Sequence, residues 1–177
     1  MKLVLSLTGA SGIQYATSLL AQLKAHSQDV KVIISSGAKK VAEAENQTLP
    51  PQDYDENDLS APCASGSSAP DAMVVCPCSL KTLGEIANGV GSNLISRTAE
   101  VCLKERKKLI LVVRETPYSL ITIKNMEKIT LAGGVILPAS PGFYHNPKNI
   151  DDLINFIAGK IFDQLNIKNN IFKRWGE

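Results

Sequence analysis

Five short apolar runs, each followed by a helical pattern, constrain this 177-residue chain more than any other feature. They lie at residues 3–7, 30–34, 72–76, 108–113 and 135–137. Residues 109–113, Leu-Ile-Leu-Val-Val, have no polar break, as expected of a parallel strand covered on both faces. The first run breaks into Thr8-Gly9-Ala10-Ser11-Gly12, and apolar residues then recur at helical spacing at Ile13, Ala16, Leu19, Leu20 and Leu23. Further helices are expected from near Ala38, from a Ser79 cap to about residue 88, and over 93–106, 119–132 and 149–165. Pro77 is expected to stop the third strand. Strands alternating with helices give an α/β chain with a doubly wound parallel sheet and right-handed crossovers. The length fits one domain.

Between the second and third strands, residues 47–71 are rich in Pro, Asp, Ser and Ala and carry no clear period. A loop this long inside a compact domain is usually functional or disordered. A polar tail over 168–177 carries the one tryptophan.

A net charge of +2 and 20% charged residues give no sign of a nucleic-acid or anionic-membrane partner. The N-terminal apolar stretch is too short for a secretory h-region, and no run reaches the ~20 residues of a membrane span. A cytoplasmic protein is expected. Of the four cysteines, Cys76 and Cys78 form a C-x-C without zinc-ribbon spacing. On a regular strand they would share one face, and the four are read as buried small hydrophobes. Only His26 and His145 are present, too few for a multi-histidine metal site.

In doubly wound sheets, ligands bind beyond the carboxyl ends of the strands, near the switch point. The segments expected there are 9–12, 35–37, 77–82, 114–117 and 138–147. A strand–glycine–helix turn offers unhindered N–H groups and a positive dipole end to a phosphate, although 8–12 is neither G-x-G-x-x-G nor a P-loop. Ser79 and Thr82 either cap a helix or bind a ligand. Lys81 meets an anion or solvent. Arg114, directly after a buried strand, either salt-bridges a neighbour such as Glu115 or clamps an anion in a bidentate fork. Glu45 stands at a helix end with no decisive signal. Lys104 belongs to a basic run that the macrodipole alone would place at a helix C-terminus. Tyr144 either stacks on a ligand or packs locally. Lys160 would by default face solvent. Together these strand ends suit a phosphorylated, partly apolar ligand.

The chain resembles the UbiX-like flavin prenyltransferases over nearly its whole length. The resemblance rests on residues 8–12, on Ala64-Ser65-Gly66-Ser67, on Pro77-Cys78-Ser79-Leu80-Lys81-Thr82-Leu83 and on Leu103-Lys104-Glu105-Arg106. It also rests on Val113-Arg114-Glu115-Thr116-Pro117, on 141–147 (Pro-Gly-Phe-Tyr-His-Asn-Pro) and on Arg174-Trp175-Gly176. It implies a flavodoxin-like, Rossmann-type fold and a homododecamer. The implied reaction joins a dimethylallyl group from dimethylallyl phosphate to N5 and C6 of reduced FMN, without a metal. The product, prenylated FMN, would pass to a UbiD-type decarboxylase. By the same resemblance Gly9, Ala10, Ser11, Ser36, Ser79, Leu80, Lys81, Thr82 and Arg114 would hold FMN. Lys104, Arg114, Glu115, Tyr144 and Lys160 would surround the prenyl phosphate, partly from neighbouring subunits. Ser11 and Glu45 would assist proton movements, and Arg97 and Trp175 would line the site or a subunit interface. Lys104 is thereby moved from a solvated helix end to the catalytic group.

Two positions depart from the pattern. Lys160 stands where close relatives often carry arginine, keeping the charge but not the fork. Leu59 stands where some relatives carry an aromatic residue. The competing functions are an FMN-dependent reductase and an FMN carrier on the same scaffold. A peptidyl-cysteine decarboxylase is disfavoured by the 77–82 turn.

Overall fold

Each apolar run becomes a strand because its alternate side chains meet a helix layer on either face. In the computed structural model, which describes residues 1–176, the order is β1 (Lys2–Leu7), α1 (Ile13–Ala25), β2 (Asp29–Ile34) and α2 (Ser36–Ala44). The chain continues through β3 (Tyr54–Asp55), β4 (Ala72–Cys78), α3 (Leu80–Ala87), α4 (Leu94–Lys104) and β5 (Lys108–Val113). It ends with α5 (Leu120–Leu131), β6 (Val135–Ile136) and α6 (Ile150–Gln164). The tail expected over 168–177 is described as far as Gly176, and Glu177 lies outside the described residues.

All pairings are parallel, in the order β3-β2-β1-β4-β5-β6. The switch point falls between β1 and β4. Leu3, Leu5 and Leu7 of β1, with Ile110 and Val112 of β5, join the core under α1, α2 and α6. Val4, with Leu109, Leu111 and Val113, joins the opposite core under α3, α4 and α5. The chain is a single-domain flavodoxin-like α/β fold, as its alternating pattern requires. No helix of the described residues is long and apolar enough to cross a membrane.

Four details differ from the sequence reading. The segment 47–71 contributes the two-residue edge strand β3 and two 3-10 turns, Pro62–Ala64 and Gly66–Ser68. Arg97 ties this segment to α4, its Nε donating to the Ala64 carbonyl at 3.1 Å. β4 passes through Pro77 instead of stopping there. Its register against β5 shifts between Val75 and Cys78, so the missing N–H of proline is not called on. That shift also separates the two cysteines. Cys76 packs in the α1/α6 core and Cys78 in the α3/α4 core, so they do not share a face. The helix expected from near Ala38 begins at Ser36, because the Ser35 hydroxyl accepts from the Ala38 N–H at 3.0 Å and caps it.

All four cysteines are free and buried. Burial pushes the Cys78 and Cys102 thiols up to about 12 and raises Cys76 and Cys63 as well. An unfolded thiol ionises near about 8.5. The folded chain therefore holds these protons where the unfolded chain releases them. Stability contributed by the thiols is level below about pH 8.5 and falls as pH rises toward 12. Urea denaturation at pH 7, 8, 9 and 10 is expected to give a midpoint that declines only above pH 8.5. The thiols should stay unreactive toward iodoacetamide until the chain unfolds.

Candidate functional site

Helix N-termini need partners for their first N–H groups, and this chain supplies them unevenly. Ser35, Ser79, Asn93, Ser119 and Asn149 cap α2 to α6 with a side-chain oxygen. α1 begins at Gly12 with no side-chain cap. Gly12 has φ +98°, a left-handed backbone that favours glycine, and a Cβ there would strike the Tyr15 ring. Its N–H points to Glu45 Oε2 at 3.4 Å, from the C-terminal end of α2.

The ends of β1 and β4 are fastened by one side chain. Thr8 donates from both its N–H (3.2 Å) and its hydroxyl (2.8 Å) to the Pro77 carbonyl. The same hydroxyl accepts from the Ser79 N–H at 2.8 Å. Beside it, Gly9 and Gly37 approach so closely that a Cβ on either would lie 3.2 Å from the other's backbone. The turns after β1, β2 and β4 are thus held as one surface at the switch point.

Two adjoining clefts open on that surface. One, of about 250 Å³, is lined by Gly9, Ala10, Ser11, Glu45, Ser79, Leu80, Arg114 and Glu115, with Val41 and Ala44 as an apolar wall. The other, of about 350 Å³, shares Gly9, Ser79, Leu80 and Glu115 and adds Ser36, Lys81, Thr82, Glu56 and Asn93. Nine expected FMN residues and two of the expected catalytic residues besides Ser11 therefore converge here. Ser79 does cap α3, its hydroxyl accepting from the Thr82 N–H at 3.3 Å, and still faces the cleft. Lys81 is exposed and pairs with Glu85 at 3.5 Å.

Arg114 decides the character of the site. It follows β5, and its backbone N–H donates to the Cys78 carbonyl at 3.3 Å. No ion pair joins it to Glu115, whose Oε1 accepts instead from the Thr116 N–H at 2.9 Å. Its Nε is buried and has no hydrogen-bond partner among the described residues. A buried unpaired guanidinium donor is costly unless an anion or another acceptor meets it. The phenol of Tyr15 is pushed above its ordinary value, mainly by burial and further by Cys76, while the nearby Arg114 charge opposes the rise. The cleft thus offers a cation, an uncapped helix start and several hydroxyls to an anionic ligand. The close Gly9–Gly37 cradle leaves room for one with no side chain in the way. These features fit the phosphate-bearing FMN.

The remaining expected residues lie elsewhere on the chain. Lys104 ends α4 and pairs with Glu105 across Gly66. Tyr144 packs edge-on against Phe156 (5.6 Å), His145 (5.9 Å) and Trp175 (5.2 Å). Lys160 lies 3.7 Å from Asp163, whose two oxygens also receive Arg174 at 2.6 and 2.8 Å. Arg174 holds the Asp163 carboxyl below its usual value, helped by Asn169. Within one chain, Lys104, Tyr144 and Lys160 do not reach the clefts. Glu56 and Asn93 do, and the sequence reading did not single them out. Asn93 is a cap-favouring residue type at the first position of the helix expected over 93–106, the signal that could have found it. Glu56 sits in an aperiodic loop and carried none.

A family model described as Flavoprotein matches residues 1–162. The flavin prenyltransferase UbiX of Methanocaldococcus jannaschii is 45% identical, with 99% of each chain covered. The chain belongs to the UbiX-like flavin prenyltransferase family. Among solved structures, AnUbiX (PadA1) in complex with FMN and dimethylallyl pyrophosphate superposes with a TM-score of 0.94 at 39% identity, covering 99% of this chain and 97% of that one. The dodecameric FMN-dependent UbiX-like decarboxylase of Escherichia coli O157:H7 superposes with a TM-score of 0.93 at 33% identity, with both chains fully covered.

Replacing Thr8 by Val keeps the shape but removes the hydroxyl that serves Pro77 and Ser79. Chemical denaturation is expected to show a loss of about 1–3 kcal/mol for Thr8→Val, with most of the stability kept in Thr8→Ser.

Proposed function

We propose that this chain is a flavin prenyltransferase that transfers a dimethylallyl group from a dimethylallyl phosphate ester to reduced FMN. The observation that carries the reading is the unpartnered Arg114 guanidinium nitrogen, set among the strand-end turns at the switch point. Family membership and the likeness to AnUbiX with FMN and dimethylallyl pyrophosphate support it.

Gly9, Ala10 and Ser11 would hold FMN from the uncapped start of α1, and Ser36 with Ser79, Leu80, Lys81 and Thr82 from the starts of α2 and α3. Arg114 would bridge FMN and the prenyl phosphate. Reduced FMN supplies electron-rich N5 and C6 positions to accept the dimethylallyl group. Loss of phosphate from the donor leaves an allylic cation. Arg114 and Lys104 would stabilise the departing anion, with Glu115 beside Arg114 around the prenyl phosphate. Tyr144 would present its ring face to the cation, and Val41 and Ala44 would keep water off it. Glu45, already at the Gly12 N–H, and Ser11 would carry protons to and from the flavin.

Lys104, Tyr144 and Lys160 would reach the site from neighbouring copies in a homo-oligomer, a dodecamer like that of the Escherichia coli relative. Exposed apolar side chains support such assembly. Phe143 is 71% exposed, Ile150 73% and Trp175 80%. The protein would work in the cytoplasm, which suits four free thiols. Its prenylated FMN would serve a UbiD-type decarboxylase.

The test is incubation with reduced FMN and dimethylallyl mono- or diphosphate, read by mass spectrometry of the flavin. The prenylated adduct is expected, and its absence with both donors overturns the reading. Glu115→Gln and Lys104→Ala are expected to retain FMN while prenylation falls about 100-fold. Arg114→Ala is expected to weaken FMN binding itself.

A further inference from the structure

The larger cleft holds a carboxylate at the start of α2, one of the helix starts given above to FMN. Glu56 follows the edge strand β3 and is half-buried. Its backbone carbonyl accepts from the Leu94 N–H at 2.7 Å, which fastens it to the first turn of α4. Its side chain then spans two helix starts. Oε2 accepts from Asn93 Nδ2 at 3.1 Å, and Oε1 accepts from the Ser36 N–H at the start of α2. Ser36, Ser79, Thr82 and Glu56 line the same cleft.

A carboxylate at a helix N-terminus takes N–H donors and dipole potential that an incoming anion also needs. Phosphate and carboxylate cannot share one N–H without placing like charges in contact. The two other charged side chains of the cleft do not relieve this. Lys81 is exposed and paired with Glu85, and Glu115 is itself anionic.

We propose that Glu56 is a specificity-determining residue that competes with the phosphate of FMN for the start of α2. The carboxylate serves the Ser36 N–H in the ligand-free chain and yields it when FMN binds. It thereby lowers affinity for the phosphorylated flavin selectively. This inference rests on the FMN reading given above. The backbone anchor to Leu94 keeps the loop in place while the side chain moves.

The test titrates FMN and riboflavin separately into the flavin-free full chain, following quenching of flavin emission, for the wild type and Glu56→Gln. Glutamine keeps the shape and the acceptor but not the charge. FMN is expected to bind about tenfold more tightly to Glu56→Gln, with riboflavin changed less than about twofold. Glu56→Ala should shift FMN in the same direction. Unchanged or weakened FMN binding, or an equal shift for both flavins, overturns the proposal. A separate arm measures the thermal shift given by inorganic phosphate. Glu56→Gln is expected to gain more than the wild type, and equal gains overturn the proposal. If the wild type binds neither flavin, the FMN reading falls, and the phosphate arm still decides the role of Glu56.

Discussion

The hydroxyl of Thr8 is the point on which the cleft depends. A parallel sheet that reverses its winding direction leaves a gap between the two strands that leave it on opposite sides, here β1 and β4. The ladder between β1 and β4 ends at Ser6 and Val75, so beyond it these two chains are not aligned with each other by the sheet. Thr8 restores the alignment by donating to Pro77 and accepting from Ser79. Pro77 suits this role: it gives the ladder no N–H, and its carbonyl is turned to Thr8. With the two strand ends fixed, the Gly9–Gly37 contact fixes the third turn, and Arg114 is brought in through its bond to Cys78.

Much of this was legible in the sequence because it depends on local chemistry. Apolar runs such as 109–113 have one stable placement, between two helix layers. Ser79 announced its cap, and the glycines at 9 and 12 announced a turn that presents its N–H groups without a bulky side chain in the way. What escaped depends on register and on distant partners. The separation of Cys76 and Cys78 follows from a register shift against β5 that no local pattern encodes. β3 is two residues long and exists only because β2 offers an edge. Glu56 acquires meaning when its loop is laid against α4. The grouping of Lys104, Tyr144 and Lys160 with the cleft came from family resemblance alone, and within one chain they lie apart from it.

Two carboxylates stand in corresponding places. Glu45 meets the N–H at the start of α1, and Glu56 meets that at the start of α2. Helix starts gathered for an anion concentrate positive potential, which a ligand-free chain must balance. Using side chains for that balance keeps the donors oriented without filling the cleft. The second centre of the molecule is built differently. Asp163 gathers Lys160, Asn169 and Arg174, while Arg174 also lies 4.7 Å over the Phe172 ring. The tail is thereby fastened to α6 beside the aromatic group of Tyr144, His145 and Phe156.

That arrangement leaves Trp175, the only tryptophan of the chain, 80% exposed and edge-on to Tyr144 at 5.2 Å. Ultraviolet emission excited at the red edge of protein absorption therefore comes from one position. It reports the polarity around Tyr144 and the end of the tail, and nothing of either core. Burial of this corner by another copy of the chain shortens the emission wavelength and shields the indole from dissolved quenchers. The molecule carries its own optical label at an exposed corner of its surface.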